Sequence, residues 1–363
     1  MRRRLMHFFA LALAIAMLPA LTASGSSAQS PNSTSISTAT NSIPVSFSVR
    51  NVNRSKLACA TDGRSYTVRG HLVGPRDAIG RASSVTLYLH GLELGEWFWT
   101  LDVQGASFVE REARAGHTSL VIDRLGYDSS DKPYGFKSCF GGQADMAHQI
   151  VDQLRNGSYT DRDSGSRMPS FNKVVLAGHS VGSLIAELTA YSFNNVDGII
   201  LASYSDQVIS AAAKKAAAYN ARICRTGGQS TEGSAPGGYA FFAPTVTAFR
   251  NAFFVNADRE TIDVSTELRN RNPCGDTASF GPAARTNVRF ADRIQVPVLV
   301  IIGQQDALFP PPAGPRQAQL FTRSNDVTLK TIGATSHGVT LERTAPEFAQ
   351  KVSSWLDAHG FGH

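Results

Sequence analysis

Short apolar runs alternate with amphipathic stretches along most of this chain, and the two periods assign the elements. Residues 46–50 and 66–72 have the β-branched and aromatic content of opening strands, and the stronger run 85–89 ends in His90-Gly91. Runs at 119–122, 174–177, 198–202, 298–302 and 327–332 read as strands covered on both faces. Helices are predicted between them at 108–115, 143–154, 183–193, 317–321 and 345–358. The alternation predicts an α/β fold with a mostly parallel central sheet flanked by helices. One connection breaks the rhythm: about ninety residues separate Ala202 from Val298, far more than a βα crossover needs. An insertion at 204–292 is therefore expected between strands six and seven, splitting the core into 43–203 and 293–363. Within it, 211–221 is helix-prone, 226–238 is Gly/Ser-rich, and Phe241, Phe242, Phe249, Phe253 and Phe254 supply a small core or substrate contacts.

The composition, 42% hydrophobic and 18% charged over 363 residues, excludes wholesale disorder. The net charge of +6 suggests nucleic acid only until its location is examined: Arg2, Arg3 and Arg4 supply three of the positive charges, leaving +3 elsewhere. No nucleic-acid partner is expected. Those arginines precede eleven apolar residues at 8–18, too few to span a bilayer, and then Pro19 and small residues. Residues 1–28 read as a signal peptide, with cleavage after Ala28, and 29–42 as a flexible linker; a twin-arginine export route is an alternative. A secreted, extracytoplasmic protein with no stable membrane anchor after cleavage follows. In that compartment Cys59, Cys139, Cys224 and Cys274 suggest two disulfides. Three pairings are allowed; Cys224 with Cys274 is preferred because both lie in the insertion, leaving Cys59 with Cys139.

The segment Val174 to Leu188 reads as strand, sharp turn and helix around Gly178-His179-Ser180-Val181-Gly182, the only G-x-S-x-G in the chain. Small flanking residues let such a turn lift the Ser180 hydroxyl above the sheet, with a helix N-terminus facing developing negative charge. A serine needs a base. Of the nine histidines, His337 stands out, in a small-residue loop between the strand at 327–332 and the last helix. His90 and His179 suit structural hydrogen bonds, and His71, His117 and His148 suit surface or packing roles. Asp306, at the end of the strand 298–302, is the expected acid, with Asp206 its competitor at an earlier strand end. Backbone N–H groups of Val181 and Leu92 are the expected oxyanion donors. Trp97, Phe98 and Trp99 are assigned to the substrate pocket, with burial under a neighbouring helix the alternative. Glu93 and Glu96 read as solvated or structural.

Taken together, these motifs resemble the α/β-hydrolase superfamily, in its branch of secreted serine esterases and lipase-like enzymes. The resemblance covers about 83–359 and includes Asp123-Arg124-Leu125-Gly126-Tyr127 after the fourth strand. It implies an α/β-hydrolase fold, a cap in the 204–292 interval and a triad of Ser180, Asp306 and His337 acting through an acyl-enzyme on small-molecule esters. Relatives often continue the Asp123 motif with a second glycine, where this chain has Asp128. Serine rather than aspartate at position 180 excludes the epoxide-hydrolase and dehalogenase chemistries. No zinc spacing, Walker or dinucleotide motif is present, so neither metal nor cofactor is expected. The expected activity is carboxylic-ester hydrolysis on small to medium apolar substrates. Peptidase, lactonase or thioesterase activity uses the same machinery, and a binding protein on this fold is the non-enzymatic alternative. Oligomeric state is not readable from the sequence.

Overall fold

The chain opens with an antiparallel pair, β1 (Thr40–Arg50) and β2 (Ser65–Pro75), in register from Thr40 opposite Pro75 to Arg50 opposite Ser65. There follow β3 (Ser84–Leu89), α1 (Trp97–Thr100), α2 (Phe108–Arg114), β4 (Ser119–Asp123), α3 (Phe140–Asn156) and the two-residue β5 (Thr160–Asp161). Next come β6 (Lys173–His179), α4 (Val181–Phe193) and β7 (Gly198–Ala202). The insertion carries α5 (Ala211–Arg225), β8 (Tyr239–Ala240), α6 (Val246–Phe253), α7 (Arg259–Glu267), β9 (Asn272–Pro273) and α8 (Cys274–Phe290). The chain returns through β10 (Val298–Gly303), α9 (Ala313–Ala318), β11 (Val327–Ile332) and α10 (Ala345–Ala358). This computed structural model describes residues 39–231 and 237–362. The expected signal peptide at 1–28 lies outside the described residues.

Among the described residues, nine strands form one sheet in the order β11-β10-β7-β6-β3-β4-β2-β1-β5, with β8 and β9 paired separately. β4, β3, β6, β7, β10 and β11 run parallel, and β2 joins them antiparallel to β4. The strand period of two divides the core. Leu87, Leu176, Leu201 and Val300 meet Phe140 and Ile150 of α3 and Leu184 and Leu188 of α4 on one side. Their neighbours Tyr88, Val175, Ile200 and Ile301 pack with Phe108 of α2 and with Phe348 and Trp355 of α10 on the other. This is the expected mostly parallel sheet covered on both faces, with the long insertion between its sixth and seventh long strands.

Three details differ from the sequence reading. The lead-in expected to run to Ser42 ends sooner, because Thr40, Asn41 and Ser42 continue the ladder opposite Pro75, Gly74 and Val73, and backbone pairing needs no apolar side chain. The run 327–332 is not covered on both faces: β11 pairs only with β10 at the sheet edge, and Val327, Leu329, Lys330 and Thr331 are exposed. The helix expected at 317–321 lies at Ala313–Ala318, starting directly after Pro310-Pro311-Pro312, with Pro315 in its first turn where no intrahelical donor is needed. Both disulfides join the preferred partners, Cys59 with Cys139 and Cys224 with Cys274.

Candidate active site

Ser180 sits between β6 and α4 with φ +54° and ψ −125°, a backbone conformation that L residues adopt only under constraint. The constraint comes from backbone packed against backbone. A Cβ on Gly178 would lie 2.1 Å from the Gly182 carbonyl carbon, and one on Gly182 would lie 2.2 Å from the Leu89 carbonyl oxygen. Ser180 N–H donates to Ala202 O at 2.9 Å, and Ser183 Oγ to Gly178 O at 2.8 Å, which ties the turn to β7 and to itself. Ser180 is 7% exposed and opens onto a cavity of about 240 Å³.

His337 lines the same cavity. Its Nδ1 bonds the Asp306 carboxylate at 3.0 and 3.2 Å, with both side chains buried, which leaves Nε2 as the free nitrogen of the ring. Asp306 is itself held, accepting from Leu308 N–H and Phe309 N–H at 2.9 Å each. His179 fixes the histidine loop from below: its Nε2 donates to His337 O at 2.8 Å, and burial holds its pKa well below the ordinary value, keeping the ring neutral. Glu342 holds the loop from the side, accepting from Ser336, Val255 and Asn256 N–H. Ser180 and His337 thus face one cavity, although among the described residues no hydrogen bond joins them.

The turn after β3 brings Leu92 to this cavity beside Val181. Neither backbone N–H has a hydrogen-bond acceptor among the described residues. Arg124 holds the turn, donating from Nε to His90 O at 3.0 Å and from Nη2 to Gly91 O at 3.3 Å. Its backbone N–H meets His90 Nε2 at 3.1 Å, and burial and the guanidinium keep that imidazole neutral. Glu93 is buried rather than solvated, and structural: it accepts from Phe242 and Ala243 N–H at 2.8 and 3.0 Å and pairs with Arg269 at 2.9 Å. Burial raises its carboxyl pKa against the pull of Arg269. Arg124 stands in the Asp123 motif, where the sequence assigns it no role; a lone arginine just past a strand end was the available signal.

The expected pocket aromatics require correction. Trp97, Phe98 and Trp99 are buried, but they pack behind the turn with Tyr88 and Phe108, and the Phe98 ring lies tilted against His179, centroids 4.2 Å apart. The cavity wall is built instead from Phe242, Phe253, Phe280 and the α5 face of the insertion, with Phe136, Leu308 and Phe309. Phe249 stacks on Phe253 at 4.3 Å, in the core beneath that wall. Asp206 does not reach His337. It accepts from Tyr204, Gln317 and Asn287 at 2.6, 3.0 and 3.2 Å, and with Glu187 forms a carboxyl pair; burial pushes Asp206 up to about 6 and Glu187 well above its ordinary value.

Residues 87–351 match the model of the Alpha/beta hydrolase family, most of the chain. The chain belongs to that family. Among solved structures it is similar to a thermophilic esterase from Thermogutta terrifontis, at 19% identity and TM-score 0.58, covering 86% of this chain and 99% of that one. It is similar to an esterase from Exiguobacterium antarcticum at 16% identity and TM-score 0.57, covering 84% and 99%. A monoacylglycerol lipase from Paleococcus ferrophilus matches at 17% identity and TM-score 0.55, covering 76% and 94%. No curated protein matches. At these identities the α/β-hydrolase fold is shared, and the activity must be argued from the site.

Proposed function

We propose that this α/β hydrolase is a secreted carboxylic-ester hydrolase working through an acyl-enzyme on Ser180. The observation that carries the reading is the Asp306–His337 pair opening onto the same apolar cavity as a serine held on a strained turn. Ser180 Oγ attacks the ester carbonyl as His337 Nε2 takes its proton, and the resulting imidazolium is stabilised by Asp306. The Leu92 and Val181 N–H groups receive the carbonyl oxygen as it becomes negative. His337 returns the proton to the leaving alkoxide, the alcohol departs, and water repeats the sequence to free the acid and Ser180. The insertion at 204–292 serves as the cap over this site, and its apolar wall suits neutral acyl or alkyl groups better than charged ones. Two disulfides support an extracytoplasmic location. No helix among the described residues is long and apolar enough to cross a membrane.

The test is to label purified protein with a fluorophosphonate and map the adduct, alongside a panel of neutral esters, lactones, thioesters and aminoacyl amides. Label on Ser180 and fastest turnover of esters is the expected result. Absence of label and of turnover would leave a binding protein on this fold, and preference for the amide would make it a peptidase.

A further inference from the structure

The cavity that receives Ser180 and His337 continues away from them along one face of α5. Ala213, Ala217 and Ala221 are spaced four residues apart and all line it, so their methyl groups form one stripe about 12 Å long. The stripe has a direction. Its inner end lies beside the proposed triad: Ser210 N–H donates to Leu308 O at 2.9 Å, and the next residue, Phe309, packs its ring 5.7 Å from that of His337. Its outer end is set by the Cys224–Cys274 bridge, which joins α5 to α8 and is itself part of the wall. Exposure follows the same gradient, with Ala213 buried, Ala217 half-buried and Ala221 exposed. One turn further, the stripe carries the exposed Arg225, which ends the apolar surface.

A row of small side chains acquires meaning here from what opens onto the same cavity. Ser180 and His337 are each more than nine-tenths buried and line it, with the Ser180 hydroxyl and His337 Nε2 unpartnered among the described residues. We infer that the stripe is the track on which the apolar chain of the substrate lies, and that Ala217 and Ala221 gauge its length. This rests on the reading of the site as an ester hydrolase. The substrate class is then an ester of a straight, uncharged chain of medium length. Alanine supplies apolar surface while leaving the volume above it to the ligand. Each methylene seated on the track raises kcat/KM about fourfold, until the chain passes Ala221 and meets water and Arg225.

The experiment is a kcat/KM series on p-nitrophenyl esters from acetate to palmitate, for the wild type, Ala217→Phe, Ala221→Phe and Ala218→Phe. Ala217→Phe should lower the octanoate-to-acetate ratio about tenfold or more. Ala221→Phe, farther out, should lower the laurate-to-acetate ratio more than the octanoate-to-acetate ratio. Ala218 is exposed and outside the cavity wall, and its variant should keep the wild-type profile. Should Ala217→Phe fail to fold, the exposed position 221 decides alone. Ester hydrolysis with a profile insensitive to the changes at 217 and 221 overturns the track and leaves the hydrolase reading standing. No turnover of any ester by the wild type, with no fluorophosphonate label on Ser180, overturns both.

Discussion

Arg124 and Asp276 form an ion pair, Nη1 to Oδ2 at 3.3 Å, with both side chains fully buried, and through it α8 of the insertion holds the turn that carries Leu92. The guanidinium also donates to the His90 and Gly91 carbonyls, while Asp276 also takes Ser138 Oγ at 2.7 Å and Gln143 Nε2 at 3.2 Å. Burial pushes the Asp276 carboxyl up and the guanidinium opposes it. Such a pair contributes little net stability over an apolar substitute, but removing one partner strands the other charge.

Asp276→Ala should therefore destabilise the protein by about 3 to 5 kcal/mol in urea unfolding. Because the stranded Arg124 releases the turn proposed to carry an oxyanion donor, kcat should fall more than KM rises. Unchanged stability would show that water reaches Arg124 and that the pair is not the clamp.

Ser180→Ala and His337→Ala should each abolish nearly all turnover while circular dichroism remains native, with a residual of about 10³-fold over water from the remaining donors. Asp306→Asn should cost about 10³- to 10⁴-fold in kcat by releasing the tautomer that points Nε2 at the cavity. Asp206→Asn should stay within a few-fold of wild type, since Asp206 bonds Tyr204, Asn287 and Gln317 rather than His337. The reverse ranking of the two aspartates would move the acid to the end of β7.

The Glu187–Asp206 pair predicts how stability depends on pH. Burial raises both folded-state pKa values above the ordinary carboxyl range, Asp206 to about 6 and Glu187 further, with the Asp206 charge adding to the rise in Glu187. The folded state thus holds protons that the unfolded chain has released. The pair's contribution is complete below about pH 4 and is lost as pH rises through the folded values. Glu187→Gln keeps the acceptor for Gln317 without a titrating proton. Chemical denaturation at about pH 5 and about pH 9 should show the wild type losing stability relative to this variant on the alkaline side. An equal difference at both pH values would mean that burial does not hold Glu187 protonated in the folded state.

Replacing Cys224 and Cys274 together by serine should lower unfolding stability by about 2 to 4 kcal/mol, because the bridge closes a long loop that includes the Gly/Ser-rich stretch. Non-reducing peptide mapping should recover Cys224 joined to Cys274. Free thiols in the mature protein, or a stability unchanged by the double substitution, would count against it.

The positions of the strands, the insertion and the turn bearing Ser180 were legible because each is written in local pattern, while the order of the strands in the sheet came only with the structure. Buried strands show as apolar runs, and a strained strand-to-helix turn demands glycine where backbone meets backbone. Asp306 and His337 were legible as residues just past strand ends, since parallel strands deliver their carboxyl ends to one edge of the sheet. The pairing of Cys224 with Cys274 followed from their sharing one segment. The wall of the cavity was legible only in part: Phe242 and Phe253 stood among the insertion phenylalanines offered as core or substrate contacts, whereas Trp97, Phe98 and Trp99 lie next to the proposed oxyanion turn in sequence yet pack away from it, and the alanine face of α5 comes from far along the chain. The roles of Arg124 with Asp276 and of Glu93 with Arg269 were hidden for the same reason, because a buried charge is identified by its partner and the partner lies more than a hundred residues away. Sequence alone determined which residues are candidates for the chemistry, because backbone geometry at strand ends is a local property. Only tertiary structure decided what surrounds them, because side-chain packing between distant segments is set by shape and burial that no local pattern encodes.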